Sequence, residues 1–154
     1  MTETSQTFDR KLWVPFSAGL GALFFCIFGV AWFNGAYIAS DIKASLNFYQ
    51  NLLGLEFVGI TPVWFGTMHR LRFGESDFKL IEPKEVPPKG AIGLEKQLGF
   101  RYVTFVIENL SQVCEELKKN GIEFTVTERE IRPGVRIAMV KDPDGNIVEF
   151  VERK

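Results

Sequence analysis

Residues 141–152, KDPDGNIVEFVE, carry the clearest chemical signal in the chain. Asp142 and Asp144 are short acceptors able to bond nearby backbone N–H groups, Pro143 fixes φ at the second turn position, and Gly145 supplies the positive φ such a turn needs. The run 147–151 must then return as a strand, with Ile147, Glu149 and Val151 on one face and Val148 and Phe150 on the other. Glu149 therefore points into an otherwise apolar surface, where a carboxylate is costly unless a cation or hydrogen-bond donors meet it. Such a group is either half of a structural ion pair or a proton carrier. The rest of the reactive inventory is thin. His69, the only histidine, falls on an apolar strand face and reads as a core group rather than a base. Cys26 and Cys114 sit in no metal or disulfide spacing and read as small buried hydrophobes.

The elements that would position Glu149 appear twice. In the first half, residues 36–40 form a short apolar strand, Asp41 is a natural N-cap, residues 42–53 repeat apolar side chains at helical spacing through Leu46, Tyr49 and Leu53, and Gly54 stops the helix. In the second, residues 102–107 are the strand, Asn109 is the cap with Gln112 three residues on, Leu110, Val113, Cys114 and Leu117 are the buried stripe, and Gly121 is the stop. LeuGluPhe at 55–57 answers IleGluPhe at 122–124. Three strand-like runs follow each helix, at 56–60, 67–73 and 77–82 and again at 122–127, 135–140 and 146–152. Each half is thus βαβββ, an α+β arrangement, and residues 83–99, with three prolines and three glycines, form the linker. Residues 132–136 read as turn and strand edge.

The chain has 154 residues and a net charge of −1, enough for the core of one domain and without the basic footprint of a nucleic-acid binder. Residues 1–11 are a polar tail. Residues 12–32 carry no charge, and as a helix they would rise roughly 30 Å, enough to cross a hydrocarbon core. Trp13 and Trp32 stand near the ends, and Arg10 and Lys11 would hold the N-terminus on the cytoplasmic side. An apolar N-terminal helix acting as a membrane anchor is expected, with a core-packing helix as the rival; without an anchor the protein would be cytoplasmic.

Two βαβββ modules with a DPDG turn before the last strand resemble the vicinal oxygen chelate superfamily, which includes glyoxalase I, methylmalonyl-CoA epimerase, extradiol dioxygenases and the bleomycin and fosfomycin resistance proteins. AYIASDIKASLNFYQNLLGLEFVG resembles the family's first strand and helix, and KDPDGNIVEFVE its last hairpin. The resemblance covers residues 33–152, with modules at 33–82 and 100–152, and implies a curved, cup-like mixed sheet and a homodimer.

Metal-using members hold a divalent ion with His and Glu from the first and last strands of both modules. Carried over by position, the last ligand falls on Glu149, which matches. The others fall on Asn34, Tyr102 and Lys79, with Glu82 left on the opposite strand face. One carboxylate, one amide, one phenol and one ammonium do not supply the deprotonated donors that hold zinc or a similar metal, so no metal cofactor is expected. Lys79 could neutralise Glu149 instead. If Lys79 faces the cup, alternation lines it with Arg70 and Arg72 while His69, Leu71 and Phe73 go under the helix, and three cations would favour an anionic ligand. A solvated face is the rival reading for the arginines. Trp64 and Phe65 would cover a ligand or cap the core. The expectation is a metal-independent binder of a small anionic or aromatic molecule, using Asn34, Arg70, Arg72 and Tyr102. The alternative is a lyase or isomerase resembling glyoxalase I or the epimerase, in which Glu149 carries the proton and Lys79 or Tyr102 stabilises the enolate.

Overall fold

The structure, a computed structural model, describes residues 34–96 and 98–154. Strand β1 (Asn34–Ile38) leads into α1 (Ile42–Leu46), which continues as a π-helical turn (Asn47–Leu52), and then into β2 (Glu56–Val63), β3 (Gly66–Phe73) and β4 (Ser76–Pro83). The pattern repeats as β5 (Tyr102–Val106), α2 (Leu110–Lys119), β6 (Phe124–Arg132), β7 (Val135–Lys141) and β8 (Ile147–Arg153). The eight strands divide into two four-stranded mixed sheets, ordered β1-β4-β3-β2 and β5-β8-β7-β6. In each, the first strand lies parallel to the last and the remaining pairs are antiparallel. The βαβββ repeat read from the sequence is therefore the observed fold.

Local chemistry explains the helix starts and stops. Asp41 caps α1 as expected, accepting from the backbone N–H of Lys43 at 2.9 Å and Ala44 at 3.1 Å. Gly54 and Gly121, at φ of 75° and 71°, end the two helical segments in the left-handed conformation that glycine adopts without a Cβ penalty. The π-helical turn, closed by Leu53 N–H to the Phe48 carbonyl at 2.9 Å, widens the spiral so that the adjacent Phe48 and Tyr49 both enter the core.

The cap of α2 differs from expectation. Asn109 makes no side-chain capping bond; its amide instead donates to Gln112. The acceptor for the first helical N–H, that of Leu110, is Glu152 on β8, at 3.4 Å. The other carboxylate oxygen of Glu152 receives Arg136 Nη1 at 2.9 Å, and Arg136 Nη2 bonds Ser111 Oγ at 3.0 Å and the Glu128 carboxylate. Arg136, read from the sequence as a strand-edge residue, is thus the centre of a network joining α2 to three strands. Glu152 is only 4% exposed, so its replacement strips one carboxylate from a partly buried guanidinium and strands a helix-end donor. Glu152→Ala is expected to lower the unfolding free energy by about 2 kcal/mol in urea denaturation, with little change in slope.

One cluster of buried side chains spans both modules. Phe105 of β5 touches Phe73 of β3 at a ring-centroid distance of 4.6 Å and Phe150 of β8 at 6.1 Å. Cys114 lies in the same cluster, and burial pushes its thiol above the ordinary range, as suits an inert core residue.

The expectation of a membrane-anchored protein is corrected here. Among the described residues no helix is long and apolar enough to cross a membrane. Residues 12–32, on which that expectation and the N-terminal helix were placed, lie outside the described residues.

Candidate functional site

Strand pairing decides which side chains share the face turned away from the helices. On β4, Phe78 and Leu80 are buried under α1, so Asp77, Lys79 and Ile81 turn the other way. Across β3 these three stand opposite Arg72, Arg70 and Met68, and across β1 opposite Asn34, Ala36 and Ile38. Arg70, Arg72 and Lys79 therefore occupy one face of the first sheet, with Asn34 at the register position beside Asp77. His69 and Leu71 are buried on the helix side, as alternation requires. Glu82 is also on that side, 3.8 Å from His69 Nε2. Neither ring nitrogen of His69 has a hydrogen-bond partner among the described residues, so it is a core histidine without the satisfaction expected of one.

The arginines have partners the sequence reading did not assign. Arg70 Nη2 bonds Asp77 Oδ2 at 3.1 Å, and Arg72 Nη1 lies 3.9 Å from Glu56 Oε2. Glu56 stands directly opposite Arg72, and Asp77 stands diagonally across from Arg70 on the same face, so period-two alternation applied to 56 and 77 finds both. The face is thus a ladder: Glu56, Arg72 and Asp77 in one row, Arg70 and Lys79 in the next, Met68, Ile81 and Ile38 in the third.

Glu149 and Tyr102 lie on the second sheet. Ile147 and Val151 flank Glu149 on its face and pack in a small cluster with Ile137 and Met139, while Val148 and Phe150 join the main core. Glu149 is half-buried and accepts a hydrogen bond from Thr104 Oγ1 at 2.7 Å. Thr104 sits opposite it on parallel β5, two residues from the exposed Tyr102. The suggested Lys79–Glu149 pair is not formed: no ion pair joins them among the described residues, and a hydroxyl, not an ammonium, meets the carboxylate. The linker contributes Leu94, which packs on this apolar cluster and covers part of the second sheet's outer face.

The two aspartates of the DPDG turn are engaged by the protein itself. Asp142 Oδ2 accepts from Tyr49 Oη at 2.8 Å and Asn146 Nδ2 at 2.9 Å, and Oδ1 accepts the backbone N–H of Asp144 and Asn146 at 3.0 and 2.7 Å. Asp144 accepts from the backbone N–H and hydroxyl of Ser40. Burial first, then the neighbouring Asp142 carboxylate, pushes the Tyr49 phenol well above its ordinary range, so it remains a donor. The turn that marked the sequence is a clasp between the modules.

The donor set does not fit a catalytic metal. Among the described residues no group of three or more His, Cys, Asp or Glu side chains is placed to hold an ion. Lys79 and Glu149 are on separate sheets, with Asn34 beside the first and Tyr102 near the second.

Paired βαβββ modules, each with one sheet face turned from its helix, define a two-module α+β domain with the glyoxalase architecture. The chain belongs to the Glyoxalase/Bleomycin resistance protein/Dioxygenase superfamily, whose sequence model matches residues 30–150. It is 25% identical over 118 residues to lactoylglutathione lyase of Shigella flexneri, covering 74% of this chain and 86% of that one. Among solved structures it is similar to SMU.1112c, with a TM-score of 0.69 and 26% identity over 79% of this chain and 98% of that one. A glyoxalase family protein from Enterococcus faecalis gives a TM-score of 0.66 and 25% identity over 82% of this chain and all of that one.

Proposed function

We propose that the domain binds a small anionic molecule, largely apolar or aromatic, without a metal. The observation that carries this reading is the face of the first sheet, where Arg70 and Lys79 stand side by side above an apolar row while the positions that would ligate a metal offer one carboxylate, Glu149. Cations beside apolar surface hold a carboxylate through charge-assisted bonds and its hydrocarbon through burial. Calorimetric titration of chelator-treated protein with phenylpropanoate should give saturable binding, and Lys79→Gln should weaken it roughly tenfold, the loss of one charge-assisted bond. Heat that appears only after a divalent metal is restored would defeat the proposal.

A second reading rests on Glu149, a half-buried carboxylate held by Thr104 in a chain similar to lactoylglutathione lyases. In it Glu149 carries a proton between substrate atoms and Tyr102 or Lys79 steadies the developing oxyanion. Lactoylglutathione lyase activity abolished in Glu149→Gln would put this reading first; absence of activity with and without added nickel or zinc would remove it.

A further inference from the structure

The first sheet's outer face does not end at its apolar row. Beyond Ile81 on β4 comes Pro83 on the same side, opposite Gly66 of β3, and the hairpin between β2 and β3 places Trp64 and Phe65 next to it. There a cleft of about 400 Å³ is lined by Ile38, Trp64, Phe65, Pro83, Lys84 and Pro87, together with Glu85, a size within the range of small-molecule sites. Trp64 is 86% exposed, and its ring meets Phe65 edge-on at 4.8 Å. The walls are fixed by bonds to backbone carbonyls: Lys84 N–H donates to that of Phe65 and the Lys84 side-chain Nζ to that of Trp64, both at 2.9 Å. Gly66 is pressed against the backbone of Glu82, so that any Cβ would lie 2.1 Å from its carbonyl oxygen. The hairpin is thereby held down against β4, with the Trp64 ring left uncovered beside the cleft.

The geometry points to an amphipathic monocarboxylate as the occupant, its acid group on Arg70 and Lys79 and its aromatic or alkyl end in the Trp64 cleft. We infer this from the ordering of the face. Charged residues give way to Met68, Ile81 and Ile38 and then to the cleft, so one ligand can meet both ends only if its own polarity changes along its length. Lys79 and Pro83 are four residues apart on one strand, a span of roughly 13 Å, which sets the length of ligand that reaches from cation to cleft. Arg70 already bonds Asp77, so the acid group adds to an existing pair rather than replacing it. A diacid would bring a second charge to a cleft whose lysine, Lys84, already donates to the Trp64 carbonyl and whose Glu85 carries a like charge.

This inference rests on the binding reading above, and its test separates the two. Phenylacetate, phenylpropanoate and phenylpentanoate, with phenylpentanamide as the neutral control, are titrated into the full chain by calorimetry and by tryptophan fluorescence. Affinity is expected to rise roughly fourfold for each added methylene, the transfer free energy of a buried CH2. Trp64→Ala should weaken phenylpentanoate roughly tenfold, as loss of an aromatic contact does, while changing phenylacetate little. Trp64→Phe should abolish the fluorescence change but keep most of the affinity. Lys79→Gln should weaken the acids and leave the amide unaffected. Carboxylate binding that ignores tail length and Trp64 would overturn the cleft assignment and leave the binding reading standing. No saturable binding by any of the acids would overturn both.

Discussion

Asp142→Ala is expected to lower the unfolding free energy by about 3 kcal/mol or more at neutral pH, because one buried carboxylate accepts four hydrogen bonds and its loss strands donors on both modules. The Tyr49 hydroxyl is the long-range member of the set, reaching across from the helical segment of the first module to the turn of the second. Tyr49→Phe removes only that donor and should cost about 1 kcal/mol. The same site gives a pH signature. Burial, the largest influence, pushes the Asp142 carboxyl above its ordinary range, and the bonds from Asn146 and Tyr49 oppose that shift without cancelling it. The folded protein therefore keeps this proton at pH values where the unfolded chain has released it. Stability from the bound proton is present below the ordinary carboxylate pKa and is lost as pH rises through the folded one. The gap in unfolding free energy between wild type and Asp142→Ala should accordingly narrow as pH rises through that window. Urea denaturation of both proteins at a series of pH values reads it, and a gap that widens with pH would show that hydrogen bonding to the ionised form outweighs burial.

Phe105→Ala should be comparably damaging, at about 3 to 5 kcal/mol. The ring is 4% exposed and lies between Phe73 and Phe78 of the first module and Phe150 of the second. Its removal opens a cavity at the place where the two halves of the core meet, so neither half can collapse into it without separating from the other. Because the main core cluster spans both modules, thermal unfolding of the variant should remain a single transition at a lower midpoint. A second transition, or a loss below about 1 kcal/mol, would mean the modules are held together by the DPDG clasp alone.

Much of this was legible in the sequence because it is local. The βαβββ repeat follows from helical spacing in residues 42–53 and 110–117 and from the strand-like runs after each. The faces of β3, β4 and β8 follow from alternation, which placed Arg70, Arg72 and Lys79 together and set Glu149 between Ile147 and Val151. The partners were harder. Thr104 meets Glu149 across 45 residues and Glu152 reaches the start of α2 across 42, and such pairings depend on the register between remote segments, which no local pattern fixes. For the same reason Asn109 looked like a cap and Arg136 like an edge residue. The DPDG sequence specifies its own turn, but local turn chemistry does not show that its carboxylates also hold Tyr49 and Ser40 of the other module.

The metal-free reading of the site faces its most direct test in metal stoichiometry together with melting temperature. The purified full chain is assayed for bound zinc, nickel, manganese, iron and magnesium, then melted with each metal and with phenylpentanoate, since any ligand of the native state raises its melting temperature. The expected result is substoichiometric metal, no metal-dependent shift, and a rise with phenylpentanoate that survives chelation. Stoichiometric metal with a stabilising shift that disappears in Glu149→Gln would contradict the account and make Glu149 a ligand.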